Sequence, residues 1–479
     1  MARLERQLTT RDLVLMNAAA ILVLSWISFA ASAGPASLLL WVAAALLFFV
    51  PQALCVTALS SAFPEEGGLY VWTGKAFGPF HGFLSGWLYW INNVFYYPTI
   101  ALVTAGYGLY VLGTRFAYLE KSQTYGMVAS LLLIGIAVAA SVAGWRAGKW
   151  VQNIGGAANW LPVVFLFVIA FLGFARFGSA TPLHADALLP AVSGAGTVLI
   201  FSKLCFAFAG FELGPIVAAE IVEPRKTLPR AIFLSALLIA AVYIFGTLAL
   251  LVAVPTAEIS MLTGVNQAIT KAGTRVGLSA AGPPIALLMT LGGLGGLTAW
   301  FAGAGRILFV AGLDRYLPPA FSRIHPRWKT PATALLVQGS VAAVLAVLAT
   351  MGTTVQRAYL FFIDLTLILY FIPYLYMFAS GIALGPEVRR TPGAVPVPGG
   401  RTGNLAVNLV GFLVTALAIV LSCIPQASEP HKLFRVLSLL GVALLFVGLG
   451  FGLYALAARR EPLDGLDHRG RVESIRDHR

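Results

Sequence analysis

Apolar segments of about 20 residues recur along the whole chain, and this recurrence constrains the fold more than any other feature. Inside a bilayer only a helix or a closed barrel satisfies its own backbone hydrogen bonds, and a helix needs about 20 apolar residues to cross. Charged residues make up 11% of the chain, whereas a soluble domain carries about 25%. The sequence therefore predicts an all-α integral membrane protein without a large soluble domain.

The apolar segments predict twelve transmembrane helices, with ends uncertain by several residues. They cover about residues 13–33, 36–62, 81–112, 125–143, 153–175, 195–222, 230–254, 282–311, 330–350, 356–384, 404–424 and 434–457. The predicted domains are a cytoplasmic N-terminus (1–12), a ten-helix core (13–384), a cytoplasmic linker (385–403), helices 11 and 12 (404–457) and a cytoplasmic tail (458–479).

The basic residues indicate the orientation of the chain. Its net charge of +13 could indicate nucleic-acid binding in a soluble protein. Here roughly 22 Lys and Arg fall in the segments predicted to face the cytoplasm and roughly 8 in those outside, as the positive-inside rule expects. We therefore expect a multi-pass protein of the cell (inner or plasma) membrane, with both termini cytoplasmic, lipid around it and no nucleic-acid partner.

The segment Phe206–Glu212 is a poor continuous membrane helix. It places Gly210 between aromatic residues and follows them with a carboxylate, which is costly in hydrocarbon unless it faces protein or water. A break at Ala209-Gly210 would free backbone groups at mid-membrane, which is tolerated only where they line a cavity. Span 1 lies five spans earlier and pairs with span 6 as a second broken helix, although it has no glycine near its middle.

Three groups of residues resemble the motifs of a known family. The first is Pro64–Trp72 with Phe77-Gly78 and Gly86-Trp87; the second is Phe208–Glu212 with Ala219-Glu220, Pro224-Arg225 and Pro229–Ile232; the third is Arg306 with Asp314–Pro319 and Thr330-Pro331. In this order and spacing they resemble the amino acid–polyamine–organocation (APC) superfamily of transporters. Span 1 is most similar to the glutamate/GABA exchanger branch, since it lacks the glycine trio of the cationic amino acid branch.

The resemblance implies a fold and an activity. The fold is a five-plus-five inverted repeat (LeuT-like) with broken helices 1 and 6, followed by two C-terminal helices. The activity is secondary active transport of an amino acid or close derivative by alternating access, as an exchanger or a proton-coupled carrier. We therefore expect no enzymatic reaction, no cofactor and no metal, and a small-molecule substrate, with protons as a further candidate partner.

The broken helices define the predicted substrate site. The first half of a broken helix ends in C=O groups that suit an ammonium, and the exposed amides of a break suit a carboxylate. The resemblance to the arginine/agmatine exchanger adds aromatic lids at Phe206 and Trp300. Tyr97 is a weaker candidate, because Tyr97-Pro98 can serve only to kink its helix. The predicted substrate-binding residues are Ala19, Ala20, Ile21, Leu22, Val23, Ser25, Tyr97, Phe206, Ala207, Phe208, Ala209, Gly210, Glu212 and Trp300.

Charged residues inside the apolar segments are candidates for gates or coupling: Lys203, Glu212, Arg306 and Asp364. Lys203 and Asp364 either pair as an outer gate, pair as a static structural link, or do not pair, and Lys203 is also a candidate proton carrier. Glu212 either belongs to the barrier beneath the substrate or binds freed backbone amides. Asn159 stands where related proteins often have a lysine, and it cannot change charge, so we expect no proton coupling through span 5.

Two other functional classes stay open at this point. A polyamine or organic amine transporter would need several carboxylates in its cavity, whereas span 3 offers Asn92 and Asn93. A membrane-embedded enzyme or lipid-binding protein would need a nucleophile, a base or a metal set near one interface, and the sequence shows none. Exchange of a labelled amino acid in liposomes distinguishes these classes.

Overall fold

A computed structural model describes residues 6–189, 195–350, 355–425 and 432–460. Its first half contains α1 (Thr10–Ile21), α2 (Ser25–Ser32), α3 (Ala36–Ala62, with a π-helical stretch), α4 (Leu69–Phe77), α5 (Pro79–Leu109), α6 (Gln123–Val142), α7 (Trp145–Ala158) and α8 (Trp160–Phe177). The rest contains α9 (Ala195–Phe208), α10 (Leu213–Ile216), α11 (Pro224–Ala253), α12 (Gly282–Leu313), α13 (Ala332–Thr350), α14 (Val355–Ala383), α15 (Gly385–Arg390), α16 (Gly400–Cys423) and α17 (Lys432–Arg460).

The prediction of an all-helical membrane protein is confirmed. Nine helices of the described residues are long and apolar enough to cross a bilayer, and the bent pair α1–α2 makes ten. Two shorter apolar helices, Leu199–Phe208 and Ala332–Leu348, coincide with predicted spans 6 and 9. The count of twelve depends on these two and stays a prediction, as do the domain boundaries. Residues 1–5 of the predicted N-terminus and 461–479 of the predicted tail lie outside the described residues.

The first predicted span is broken between α1 and α2, whose axes differ by 42°. Neither glycine nor proline lies in the break, so partners from other helices must hold the freed carbonyl groups. The side chain of Asn159 donates to the carbonyls of Ala18 (3.3 Å) and Leu22 (3.2 Å), and the hydroxyl of Tyr243 donates to that of Ile21. Side chains from other parts of the chain thus bind the carbonyl groups freed by a break that the local sequence does not predict.

The second break follows Phe208, at the end of α9. Gly210 has a φ of +142°, a conformation that residues with a side chain rarely adopt. Beyond it the predicted span 6 (195–222) is wrong in one respect, because α10 has only four residues and a 3-10 turn follows it. The physical reason is that the loop 63–68 crosses the end of α10. The Gly67 N–H of this loop donates to the Ile216 carbonyl (3.2 Å), which would accept a backbone N–H if α10 continued.

Glycines bring α12 against α1 and α7. A methyl group on Gly296 would come within 2.3 Å of the Ala19 carbonyl oxygen, and one on Gly295 within 2.7 Å of the Gly155 Cα. The absence of a side chain at these two glycines therefore allows close contact between the helices. Because α12 passes beside the break in α1, the residues that follow Gly296 face the space between the broken helices.

The helix bundle has two ends, called the N-terminal face and the opposite face. The N-terminal face contains Leu8, the loop 63–68 and the turn 218–223, since the Leu8 N–H donates to the Glu220 carbonyl (3.0 Å). The opposite face contains the starts of α9, α14 and α17. The C-terminal end of α14 belongs to the N-terminal face, because the chain that follows it binds the Ser61 hydroxyl through the Val395 N–H (2.8 Å).

Candidate functional site

A small cavity lies between the two helix breaks. Its volume is about 10 Å³, which is room for about one water molecule. Six predicted substrate-binding residues line it, namely Ala20, Ile21, Phe206, Ala207, Ala209 and Trp300. Asn92, Tyr96 and Tyr370 complete the lining. The breaks thus lie beside the same cavity, and the protein is closed around it in this conformation.

Aromatic rings enclose the cavity. Phe206 meets Tyr96 and Tyr370 edge to face, at ring-centroid distances of 5.4 and 5.6 Å. Trp300 approaches Tyr96 in the same manner at 5.8 Å, and its indole N–H donates to the Ala20 carbonyl (3.0 Å). Edge-to-face pairs are favourable arrangements that rotamer changes can separate. The rings can therefore open to a substrate without unwinding a helix.

Eight predicted substrate-binding residues are not among the described residues that line the cavity: Ala19, Leu22, Val23, Ser25, Tyr97, Phe208, Gly210 and Glu212. Tyr97 stacks on Phe301 (3.9 Å between centroids) and donates its hydroxyl to the Trp300 carbonyl, so it holds α12 in place. Phe208 stacks on Phe49 (4.4 Å). These rings point into the helix packing, because their positions on α5 and α9 face neighbouring helices.

Backbone amides at both breaks already have partners within the protein. The Val23 N–H donates to the Tyr243 hydroxyl (3.2 Å), and the Gly210 N–H donates to the Tyr374 hydroxyl (3.0 Å). The buried amide of Gln52, oriented so that both its ends are satisfied, donates to the Phe208 carbonyl (3.2 Å) and accepts from the Gly210 N–H (3.1 Å). A substrate carboxylate would have to displace these side chains.

Glu212 lies beside the cavity, is fully buried and accepts three tyrosine hydroxyls. Tyr89 of α5 donates from 3.1 Å, and Tyr370 and Tyr374 of α14 donate as well. The two tyrosines of α14 are four residues apart and therefore share one helix face. The sequence left open whether Glu212 binds the backbone amides freed by the break. In this conformation its side chain accepts hydrogen bonds from tyrosine hydroxyls. The carboxylate joins α5, α14 and the second break.

The opposite face is closed by a cluster of three charges, two of them buried. Nζ of Lys203 lies 2.9 Å from Oδ1 of Asp364, and both side chains are more than nine-tenths buried. A guanidinium nitrogen of Arg435, from α17, binds the other carboxylate oxygen. The three residues join α9, α14 and the last helix of the described chain.

The N-terminal face is closed by a buried ion pair. Nε and Nη2 of Arg306 donate to the two carboxylate oxygens of Glu220, at 2.9 and 3.3 Å. The Gln7 and Leu8 N–H groups donate to the backbone carbonyl of the same glutamate (2.9 and 3.0 Å). The cavity therefore has a polar closure on each side.

The sequence pattern of the amino acid permease family matches residues 9–447, which is most of the chain. The chain belongs to the amino acid permease family, within the APC superfamily. The predicted resemblance is thereby confirmed, and so is the prediction of a multi-pass membrane transporter. The buried charges and the broken helices described above belong to such a permease.

The names of individual relatives mention different substrates, or none. An uncharacterised transporter of Legionella pneumophila is 30% identical over 92% of this chain and 95% of its own length. A probable agmatine/putrescine antiporter of Lactococcus lactis is 25% identical, over 88% of each chain. A glutamate/gamma-aminobutyrate antiporter of the same species is 24% identical over 80% of this chain and 77% of its own length.

Sequence reasoning missed several residues of this permease site. It missed the three tyrosines that bind Glu212, namely Tyr89, Tyr370 and Tyr374. The spacing of four residues between the two in α14 places them on one helix face, but nothing in the sequence indicates that they contact Glu212. Arg435 lies at the start of span 12, outside the three groups of residues on which the resemblance was based. Gln52 is the one amide side chain in predicted span 2, and the cost of burying a polar group should have singled it out.

Proposed function

We propose that this permease is a secondary transporter that exchanges an amino acid or a close derivative across the cell membrane by alternating access. One observation carries the proposal: a cavity between two broken helices, closed by a different polar cluster on each face. Alternating access requires a central site that opens to one face at a time. The relatives named as antiporters favour exchange over one-way transport.

The finer architecture is part of this proposal. The bent pair α1–α2 and the pair α9–α10 are the broken helices of two inverted five-helix halves, and α16 and α17 are the added helices. The cluster of Lys203, Asp364 and Arg435 serves as the outer gate. Glu212 and its tyrosines, with Glu220 and Arg306 below them, serve as the inner barrier. The excess of basic residues makes the N-terminal face cytoplasmic.

The lining of the cavity favours an amino acid over a polyamine. Among the described lining residues none is charged, and the nearest carboxylate, Glu212, already accepts three hydroxyls. A single ammonium group can bind over aromatic faces such as those of Phe206 and Trp300 and beside the carbonyls that end α9. A second ammonium group has no acid to bind there, which disfavours diamines.

Countertransport in proteoliposomes tests the proposal. Vesicles loaded with one unlabelled amino acid at a time should take up the same labelled amino acid for at least one member of a panel that includes glutamate and gamma-aminobutyrate. Trp300→Ala removes a wall of the cavity and should reduce this uptake about tenfold, the change that about 1.4 kcal/mol of lost binding produces. Trp150→Ala is the matched control, because that side chain is 68% exposed.

Two outcomes would overturn or redirect the proposal. Uptake by no member of the panel, with correctly folded protein in the vesicles, contradicts amino acid exchange. Vesicles loaded with agmatine or putrescine are tested in parallel, and uptake of one of these amines without uptake of any amino acid reassigns the permease to amines, as the name of one relative suggests.

A further inference from the structure

Glu66 is a carboxylate that the proposed transport cycle does not use. It lies in the loop between the span that ends at Ala62 and the one that begins at Pro79, on the N-terminal face. The side chain as a whole is half-buried, but its Oε1 atom lies inside the protein and accepts no hydrogen bond. A charged carboxylate oxygen is costly in such a place, whereas a protonated carboxyl group is much less so.

The charges around Glu66 favour its neutral form. The neighbouring Arg306 is engaged with both oxygens of Glu220 and with the Ala302 carbonyl (2.8 Å). Two carboxylates thus lie near a guanidinium that is bonded to only one of them. Burial and the negative charge of Glu220 raise the pKa of Glu66 to about 8, against a smaller opposite effect of Arg306.

Several other charged groups on the elements packed here have partners other than Glu66, among them Lys226 and Glu223 (3.0 Å) beside the turn 218–223. Others form the contacts Lys75–Glu65 (3.4 Å) at the loop and α4, Tyr70–Asp314 (2.7 Å) at the end of α12, and Lys149–Asp12 (2.8 Å) between α7 and α1. Glu220 and Arg306 therefore set the local field at Glu66.

The loop of Glu66 is also part of what closes this face. The next residue, Gly67, donates its N–H to the Ile216 carbonyl (3.2 Å), and Leu8 donates its N–H to the Glu220 carbonyl (3.0 Å). Opening the N-terminal face would break these bonds between the loop, the first residues and the turn 218–223. Water would then reach Glu66, and its pKa would return toward the ordinary value of 4.5.

We propose that Glu66 is a proton-binding site whose protonation favours closure of the N-terminal face. The proposal rests on the proposed alternating access and adds a regulating ion to it. The closed form binds the proton and the open form releases it, so the two are linked. Closure is favoured progressively as pH falls from about 8 toward 4.5, and this advantage is lost as pH rises through 8.

Hydrogen exchange of the permease in lipid nanodiscs tests this without a transport assay. The peptides to follow contain Leu8 and Gly67, whose amides are bonded only while the face is closed. After correction for intrinsic exchange, protection of both should rise as pH falls from 8 to 5, by up to about tenfold per pH unit for one linked proton. Glu66→Gln mimics the protonated form and should show the high protection at every pH.

The neighbouring Glu65 provides the matched control. It is exposed and paired with Lys75, so Glu65→Gln should keep the pH dependence of the wild type. Glu66→Asp retains a titratable group and should keep a pH dependence with a shifted midpoint, which also covers the case of a poorly folded glutamine variant.

The proposal is overturned if wild-type protection does not change with pH, or if Glu66→Gln follows the wild-type pH profile. Because hydrogen exchange reports only on closure of the N-terminal face, its outcome is separate from that of the countertransport test. If the protection of this face depends on pH but the protein transports no amino acid, only the proposed substrate is contradicted.

Discussion

At the scale of single residues, Glu212 shows how this protein places a carboxylate inside a membrane. Tyr89, Tyr370 and Tyr374 donate to it, and the Tyr374 hydroxyl also accepts the Gly210 N–H (3.0 Å). A hydrogen bond to a charged group contributes about 1.5–3 kcal/mol, so three donors offset much of the cost of burial. The same bonds fix α14 to the second break, and any movement of the break has to lengthen or exchange them.

Removing one of these donors should weaken the folded state. Tyr370→Phe keeps the ring that lines the cavity but leaves Glu212 with one donor fewer, and we expect a loss of about 1–3 kcal/mol in the free energy of unfolding. Chemical unfolding in mixed micelles measures the change. Tyr118→Phe is the control, because that ring is 70% exposed. Equal stability of the two variants would mean that the hydroxyl of Tyr370 does not support Glu212.

At the scale of helices, the two breaks differ in how well the sequence predicts them. The break after Phe208 was predictable because a glycine, Gly210, and a carboxylate two residues later lie inside an apolar segment. Gly210 indeed has a positive φ. The break after Ile21 was predictable only from its distance to span 6. Its cause is tertiary, since Asn159 and Tyr243 come from distant parts of the chain.

The same distinction explains which site residues were found. Residues next to a break, such as Ala20 and Phe206, line the cavity because they are close to it along the chain. Partners that arrive from other helices, such as Gln52 and Tyr374, depend on helix rotation and register, which hydropathy does not determine. Local chemistry therefore predicted where the site is, and packing decided which side chains face it.

A substitution at the second break should be costly. Gly210→Ala would place a methyl group 2.7 Å from an Ile21 side-chain carbon, at a φ of +142°. We expect about 1–3 kcal/mol of destabilisation from the strained backbone, and lower countertransport because the two breaks are pushed apart. Gly135→Ala, in α6 with open space around it, should instead gain up to about 1 kcal/mol. Matching unfolding curves for both variants would contradict the role of Gly210.

At the scale of the whole molecule, the last helix is part of the transport machinery that we propose. In the sequence-based prediction, span 12 was one of two helices that follow the ten-helix core. The structure instead places Arg435 of α17 on Asp364 of α14, beside Lys203 of α9. One buried carboxylate therefore joins α9, α14 and the last helix of the described chain at the opposite face.

This arrangement predicts that the three charges act as a unit. Asp364→Asn leaves the buried Lys203 and the partly buried Arg435 without their shared carboxylate and should cost about 3 kcal/mol in the free energy of unfolding. The triple variant Lys203→Met, Asp364→Asn and Arg435→Met has no such charge and should be more stable than the single variant. Arg401→Met, at an exposed position of α16, should match the wild type in both unfolding and transport.

Transport by the triple variant then distinguishes a gate from a static link between helices. If the cluster is the outer gate, the folded triple variant should lose countertransport by about tenfold or more, because about 1.4 kcal/mol of bias between the open and closed forms suffices for that change. If the cluster only fixes the helices in register, the stable triple variant should exchange substrate at the wild-type rate, and the gate would have to be assigned to the aromatic rings of Phe206 and Trp300.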